Sequence, residues 1–257
     1  MEGQLKSLTI KNVGTIKGGA FNEAGNNELK VIITDSGLND YLPFFKTKMS
    51  ALELNNVNVT NTQGLFKEAG SDNMTVTING GNIAIQTFRE CKMSEFVLNN
   101  VHIADNAAFL YMAGNADLKV TVNGGSLGTN AFNNSKIGEL VLNDVTIKDG
   151  TTNLFRNSTT DVRKVTINGG SFGDNVFYGS PMPKLVELEL NNVDFGDKKP
   201  FTNISVGKVT VNGGGLATGM FDGSTISALE LRNVAIANGV SPFTRGQVNI
   251  LKQAQRR

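Results

Sequence analysis

Three aspartates recur at one position of a repeated pattern and are the strongest candidates for metal chemistry. Asp149, Asp174 and Asp197 each follow a corner Val or Gly by four residues in successive repeat units. If the units stack at the spacing of parallel strands, about 4.8 Å, the three carboxylates would lie close enough together to bind Ca²⁺. Each aspartate also begins a short turn, and lysines stand nearby. Turn capping is therefore the favoured interpretation, and calcium binding is the weaker alternative.

A row of alternating charge is the candidate binding surface. The residue that precedes each strand-like segment is acidic and basic in turn, and two positions further on valine and threonine alternate. The row consists of Glu95, Val97, Lys119, Thr121, Glu139, Val141, Lys164, Thr166, Glu187 and Lys208. Opposite charges on adjacent strands stabilise their pairing and penalise a slip in register, so a register-fixing salt ladder is one interpretation. A flat face that docks a protein is the other, with modest affinity because Trp, Tyr and Arg are missing from it.

The single His and the single Cys restrict catalytic chemistry. One Cys excludes an internal disulfide and every multi-thiolate metal site, and one His excludes clusters that need two imidazoles. His102 lies between two apolar residues of a strand-like segment and is expected to point outward. Cys91 takes a position that serine fills in other units, so we interpret it as a small repeat side chain. No GxGxxG or Walker loop occurs, and no cofactor is expected.

The overall charge and hydropathy exclude further classes of partner. The 257 residues include 24 Lys and Arg against 23 Asp and Glu, a net charge of +1. With so small a net charge, the chain as a whole exerts no electrostatic attraction on nucleic acid. No apolar run approaches the roughly 18 residues of a membrane span. Neither nucleic acid nor membrane insertion is therefore expected. The first four residues, MEGQ, do not begin a signal peptide.

These candidate residues are positioned by an internal repeat. The string NGG begins at Asn79, Asn123, Asn168 and Asn212, and segments of the LELNNV type alternate with it, so the unit is about half of 44 residues. A third marker is phenylalanine, which recurs every 20 to 24 residues. Its positions are Phe21, Phe44 or Phe45, Phe66, Phe88, Phe109, Phe132, Phe155, Phe177, Phe201, Phe221 and Phe243.

One unit shows why the chain should coil into a rod. In IGELVLNDVTIKDGTTNLF, from Ile137 to Phe155, apolar residues alternate with period two in two short segments. This pattern is typical of strands with one buried face. A unit this short buries its apolar side chains only by stacking on the next unit. We therefore predict a β-rich, right-handed solenoid with about eleven coils of about 22 residues. A parallel sheet should form one face, and short strands or turns the other.

The prediction assigns the whole chain, residues 1–257, to a single repeat domain. Coils run from about residue 5 to 246, and residues 247–257 form a partial terminal coil with a basic tail. Asparagines that end successive first strands should stack as hydrogen-bonded amides. The following Asn, Asp or Gly should turn the corner, where a positive φ is useful. Only four residues precede the first apolar unit, so we expect either upstream repeats or end-to-end self-association through an uncapped N-terminal coil.

The segments GGSFGDNVFYGSPMPKLVELEL and GGSLGTNAFNNSKIGELVL resemble the BspA-like leucine-rich repeats, in which an LxxLxL strand leads to an IGDxAF segment and then FxxC. The pairs that carry the resemblance are Phe88 with Cys91, Phe132 with Ser135, Phe177 with Ser180 and Phe221 with Ser224. The resemblance implies a non-catalytic adhesion or protein-binding module of an extracellular or cell-surface protein, with a host or other extracellular protein as partner.

Two other functions stay open. Three-sided β-helices share coils of this length and strands of the VTINGG type, so an enzyme acting on polysaccharide is one alternative. Such an enzyme would need acids converging in a groove, whereas the acids here are spread along the charged row. A purely structural spacer is the other alternative.

Overall fold

A computed structural model describes residues 5–38, 40–59, 64–148, 154–158, 162–178, 185–236, 239–248 and 251–254. It shows a parallel β-solenoid, which confirms the predicted fold class. The described residues contain no helix, and therefore none of the length and apolar character needed to cross a membrane.

Sixteen strands occur in the described residues of the solenoid. They are β1 (Ser7–Lys11), β2 (Lys30–Thr34), β3 (Ala51–Asn58), β4 (Thr75–Ile83), β5 (Glu95–Asn99), β6 (His102–Ile103), β7 (Lys119–Asn123), β8 (Glu139–Asn143), β9 (Thr146–Ile147), β10 (Lys164–Asn168), β11 (Ser171–Phe172), β12 (Leu185–Asn191), β13 (Ser205–Asn212), β14 (Thr225–Arg232), β15 (Gln247–Val248) and β16 (Leu251–Ala254).

The longer strands form one continuous sheet. Its order is β1-β2-β3-β4-β5-β7-β8-β10-β12-β13-β14-β15, with β16 also paired to β14 and β6 to β4, and every pairing is parallel. The two-residue strands β6, β9 and β11 mark the next side of the coil, where β9 and β11 pair with each other. Alternate residues of the main strands are buried, as in β7, where Val120 and Val122 point inward.

Stacked phenylalanine rings fill the interior along the rod. Consecutive rings from Phe21 to Phe88 have centroids 4.9 to 5.2 Å apart and are nearly parallel. From Phe109 to Phe243 the spacing is 5.0 to 6.3 Å. The predicted internal column is confirmed, with Phe44 rather than Phe45 as its member. Rings between these limits are fully buried, and such burial contributes about 1.5 to 3 kcal/mol each before conformational entropy is subtracted.

The column departs from the predicted repeat at one coil. The Phe66 N–H bonds to the carbonyl just before Phe88, but the Phe88 N–H bonds to the carbonyl of Phe109 itself, so Leu110 takes the equivalent position. Phe96 of β5 enters the resulting gap, with its ring 5.0 Å from Phe88 and 5.6 Å from Phe109. The reversed order of Phe109 and Leu110, compared with Leu65 and Phe66, is thus accommodated by a ring from the sheet.

The corners after the main strands adopt the predicted left-handed conformation. Asn56, Asn100, Asp144, Asn192 and Asn233 have φ between 52° and 54°, and the first glycine of each NGG is also positive. The second glycine serves another purpose: a Cβ on Gly125 would collide with the Val101 carbonyl of the preceding coil. Asn and Gly are therefore abundant because every coil turns this corner against its neighbour.

Candidate functional site

The outward side of the main sheet, called the sheet face below, carries three rows of side chains in strict register. The first row includes Glu95, Lys119 and Glu139; the second Val97, Thr121 and Val141; the third Asn99, Asn123 and Asn143. Residues of the same row are direct partners on adjacent strands, and the remaining predicted members, Lys164, Thr166, Glu187 and Lys208, continue the rows. The structure thus brings all ten predicted binding residues onto one surface.

The third row is a ladder of asparagine amides. Each Nδ2 donates to the Oδ1 of the asparagine in the preceding coil at 2.6 to 2.8 Å. The ladder runs through Asn55, Asn79, Asn99, Asn123, Asn143, Asn168, Asn191 and Asn212. The predicted amide stack is confirmed, and it fixes the lateral position of every strand it crosses.

The first row has the predicted alternation of sign but not the predicted pairing. Among the described residues, no ion pair joins Glu95 to Lys119, and none joins Lys164 to either flanking row member. Lys164 Nζ instead bonds Glu189 Oε2 at 2.7 Å, diagonally across β10 and β12. The Asn191 amide also donates to Glu189, at 3.4 Å. Because this diagonal carboxylate is held by a second donor, the flexible lysine chain turns toward it.

A charged cluster follows at the C-terminal part of the sheet face. Glu230 binds Arg232, whose guanidinium nitrogens lie 2.7 and 3.0 Å from Oε1, and Lys208 Nζ at 3.3 Å. Lys208 and Arg232 also line a depression of about 220 Å³, together with Lys164, Glu187 and Glu189. Three cations and two acids line it, so it offers both signs of charge to a partner.

The acids of this cluster are held in their ionised form. The hydrogen bond from Lys164 lowers the pKa of Glu189 below its ordinary value, and the bond from Arg232 lowers the pKa of Glu230. The bond to Glu189 raises the pKa of Lys164 in turn. A general acid at neutral pH needs the opposite shift, because its proton must still be present.

The aspartate row does not have the predicted geometry. Asp174 Oδ1 accepts the backbone N–H of Lys199 at 2.7 Å, and Asp105 Oδ1 accepts that of Thr129 at 2.9 Å. These carboxylates therefore join consecutive coils, whereas sequence reasoning assigned them to the caps of their own turns. The Asp197 carboxylate is 94% exposed and lies 3.9 Å from Lys198 Nζ.

Asp149, the third member of that row, lies outside the described residues. No group of three or more His, Cys, Asp or Glu side chains with metal-binding geometry occurs in the described part of the chain. Calcium binding stays a prediction, and a melting temperature unchanged by added Ca²⁺ would remove it.

The remaining candidates have structural surroundings. His102 is exposed on β6, as predicted, and its Nδ1 lies 2.9 Å from Ser126 Oγ. Cys91 is buried and hydrogen-bonded to the Phe66 carbonyl, and burial raises the pKa of its thiol. Ser224 likewise donates to the Phe201 carbonyl of the preceding coil, whereas Ser135 donates to the Phe132 carbonyl of its own coil. The interpretation of Cys91 as a small repeat side chain agrees with this position.

Sequence reasoning missed a second row of half-buried and exposed side chains, on the turn that follows each core phenylalanine. We call it the turn-edge stripe; its members are Phe45, Lys67, Arg89, Tyr111, Asn133, Arg156 and Tyr178. Backbone bonds place consecutive members in adjacent coils: Lys46 N–H donates to Lys67 O, and Glu68 N–H to Arg89 O. The sequence does mark the positions of this row, because each member directly follows the repeated phenylalanine or its substitute Leu110.

Comparison with known proteins identifies the repeat. A family model of the BspA type leucine rich repeat region matches residues 1–114 and 81–206, with six copies. Neither the curated proteins nor the solved structures contain a match.

Proposed function

The chain belongs to the BspA-type leucine-rich repeat family, and from this premise we propose that it is a non-catalytic protein-binding or adhesion module of a surface or secreted protein. Its sheet face would dock a host or other extracellular protein. The observation that carries the proposal is the unbroken register of the three outward rows along one sheet. A rigid face of this kind needs little ordering when it binds.

The chemistry of the sheet face suits a folded partner with a mixed-charge surface. Half-buried Val97 and Val141 provide apolar contact in its central part, between Thr77 and Thr166. Exposed Glu95 and Lys119 make no ion pair among the described residues, so they keep both signs of charge for a partner. A few such contacts on a flat surface support moderate affinity, and avidity from a surface array would raise it.

An alternative function as a polysaccharide-cleaving enzyme has less support. The sheet acids with shifted pKa values, Glu189 and Glu230, are shifted downward by cationic partners. Catalysis of glycoside cleavage requires one carboxyl group with a raised pKa beside an ionised one.

The test is charge reversal of the first row. Purified extracellular and host-surface proteins are screened by surface plasmon resonance against the chain and against the variant E95K/E139K/E187K, with urea unfolding measured in parallel. We expect a partner whose affinity falls at least about tenfold in the variant, because six successive coils then present only lysine. Loss of stability without any change in binding would favour the spacer. Cleavage of a uronic polymer in the presence of Ca²⁺ would favour the enzyme.

A further inference from the structure

The turn-edge stripe lies on a different side of the rod from the sheet face. Its members follow the stacked phenylalanines at adjacent coils, so they repeat at about the 4.8 Å spacing of parallel strands. From Phe45 to Tyr178 the seven members span roughly 30 Å. The stripe is therefore a long, narrow and periodic track.

Positive charge is concentrated along this track. Lysines also occupy the position three residues after every second stripe member, at Lys48, Lys92 and Lys136, and all three are exposed. With Lys46, Lys67, Arg89 and Arg156, the stripe and its flanking turn positions from residue 22 to 178 hold seven cations. Glu23, Glu68 and Glu90 oppose them in the same turns, and Asp72 pairs with Lys92 at 3.6 Å. The whole chain, by contrast, has a net charge of +1.

Several of these cations are not paired with an acid among the described residues and can therefore pair with an anionic ligand. Glu68 accepts from both Lys67, at 3.2 Å, and Lys46, at 3.8 Å, and Glu90 accepts from Arg89 at 2.8 Å. Arg156, Lys48 and Lys136 have no ion pair within the described part of the chain. Glu68 and Glu90 therefore orient the cationic side chains at one end of the track, and the rest of the track stays positively charged.

Aromatic rings lie among the cations along the stripe. Lys46 Nζ lies 4.9 Å and Lys67 Nζ 5.5 Å from the centre of the Phe45 ring, and Arg89 Cζ lies 5.6 Å from that of Tyr111. Tyr178, at the far end, is 42% exposed. Rings held between cations provide flat apolar patches flanked by charge.

One polar side chain in the middle of the track lacks a partner. The Oδ1 of Asn133 is covered by the protein and forms no hydrogen bond. Turning this amide outward breaks no bond at its oxygen, and the oxygen would then accept from a donor on a ligand. A hydroxyl group supplies such a donor, whereas a carboxylate or a phosphodiester does not.

We infer that the turn-edge stripe binds a linear acidic polysaccharide. Carboxylates spaced along the polymer pair with Lys67, Arg89 and Arg156, pyranose rings lie against Tyr111 and Tyr178, and a sugar hydroxyl reaches Asn133. A periodic polymer matches a periodic track, which an acidic peptide of irregular charge does not. The phosphodiester backbone of DNA has no hydroxyl donor for Asn133 Oδ1, whereas every sugar of a polysaccharide has one.

The experiment measures binding of polygalacturonate, with one carboxylate per sugar, by isothermal titration calorimetry at low ionic strength. We expect saturable binding that weakens with added salt and with oligosaccharides too short to span the track. The variant K67Q/R89Q/R156Q should bind at least about tenfold more weakly. The single variant R156Q removes an exposed side chain without an ion pair, so it should fold normally and lose about threefold. The matched control K6Q/K11Q/K30Q removes three exposed lysines from β1, β2 and their approach, and should bind as the native chain does.

Each other outcome overturns the inference. Absence of polygalacturonate binding would do so, as would native affinity in both the triple variant and R156Q. Equal binding of polyglutamate would assign the track to acidic peptides, and equal binding of single-stranded DNA would assign it to nucleic acid. Equal binding of neutral dextran would show that the cations play no part. None of these results bears on the sheet face, which E95K/E139K/E187K tests separately.

Discussion

Two rows on the same strands of the sheet face behave differently. The amide ladder has a hydrogen bond at each of seven rungs from Asn55 to Asn212. The charged row, four residues earlier on the same strands, has no ion pair between direct neighbours in the described structure. Equal register therefore does not produce equal pairing.

The difference follows from the chemistry of the side chains. Asparagine has a donor and an acceptor on a short chain, so identical neighbours satisfy each other with one conformation. Lysine only donates and glutamate only accepts, and both chains are long enough to reach several partners. A lysine can then bond a carboxylate on a diagonal instead of its direct neighbour, as Lys164 bonds Glu189. Stacked identical amides specify register, whereas alternating charge leaves the partner open.

The largest effect is expected from breaking the amide ladder at its centre. In N143A, Asn168 loses its acceptor and Asn123 loses its donor. Half-buried polar groups without partners cost roughly 1 to 3 kcal/mol, so the free energy of unfolding should fall by about 2 kcal/mol. Urea unfolding monitored by circular dichroism measures it.

The matched control is N212A at the last asparagine, where only the bond to Asn191 is lost. Its loss should be about 1 kcal/mol. If both variants lose the same amount, the ladder does not act as a connected series.

A smaller effect is expected from E189Q, which removes the diagonal ion pair. Such partly exposed pairs contribute about 0.2 to 1 kcal/mol after solvent screening, and E189Q should lose an amount in this range at pH 7. The folded pKa of Glu189 lies below its ordinary value of 4.5. The contribution is therefore present above pH 4.5 and disappears as the pH falls through the lower folded value. The difference between the native chain and E189Q should therefore shrink as the pH falls below 4.5 and through the lowered folded pKa, and a constant difference would contradict the assignment.

The smallest effect is expected in the charged row itself. E95Q and K119Q remove exposed side chains that form no ion pair in the described structure, so each should change the free energy of unfolding by less than about 0.5 kcal/mol. Thermal unfolding at low and at moderate salt provides the measurement. A loss above about 1 kcal/mol at low salt, relieved by salt, would restore the salt-ladder interpretation.

The fold was predictable because its signals repeat. Phenylalanine spacing, NGG corners and period-two alternation each mark one position in every coil, so a mistake at one coil is corrected by the others. The exception is Leu110, which takes the common position while Phe109 stands directly before it, the reverse of the order in Leu65 and Phe66. A reversal at one coil has no repeated signal, and Phe96 filling the gap depends on packing in three dimensions.

The candidate surfaces were predictable only in part. Placement of Glu95 to Lys208 in one row followed from strand register, which backbone hydrogen bonds dictate. The partner of each charge did not, because side-chain conformation depends on neighbours two residues away. The link from Asp174 to the Lys199 N–H likewise required the actual path of the following coil.

The amide ladder also has a direction, because every Nδ2 points toward the preceding coil. At its N-terminal end Asn55 donates to Glu53 at 2.9 Å, so an acid accepts the terminal donor. At the other end Arg232 is the strand partner of Asn212, so a cationic residue follows the last asparagine. The aligned amides thus have a donor end next to an acid and an acceptor end that is followed by a cation. Rods extended in series should join head to tail, since two like ends would face donor to donor or oxygen to oxygen.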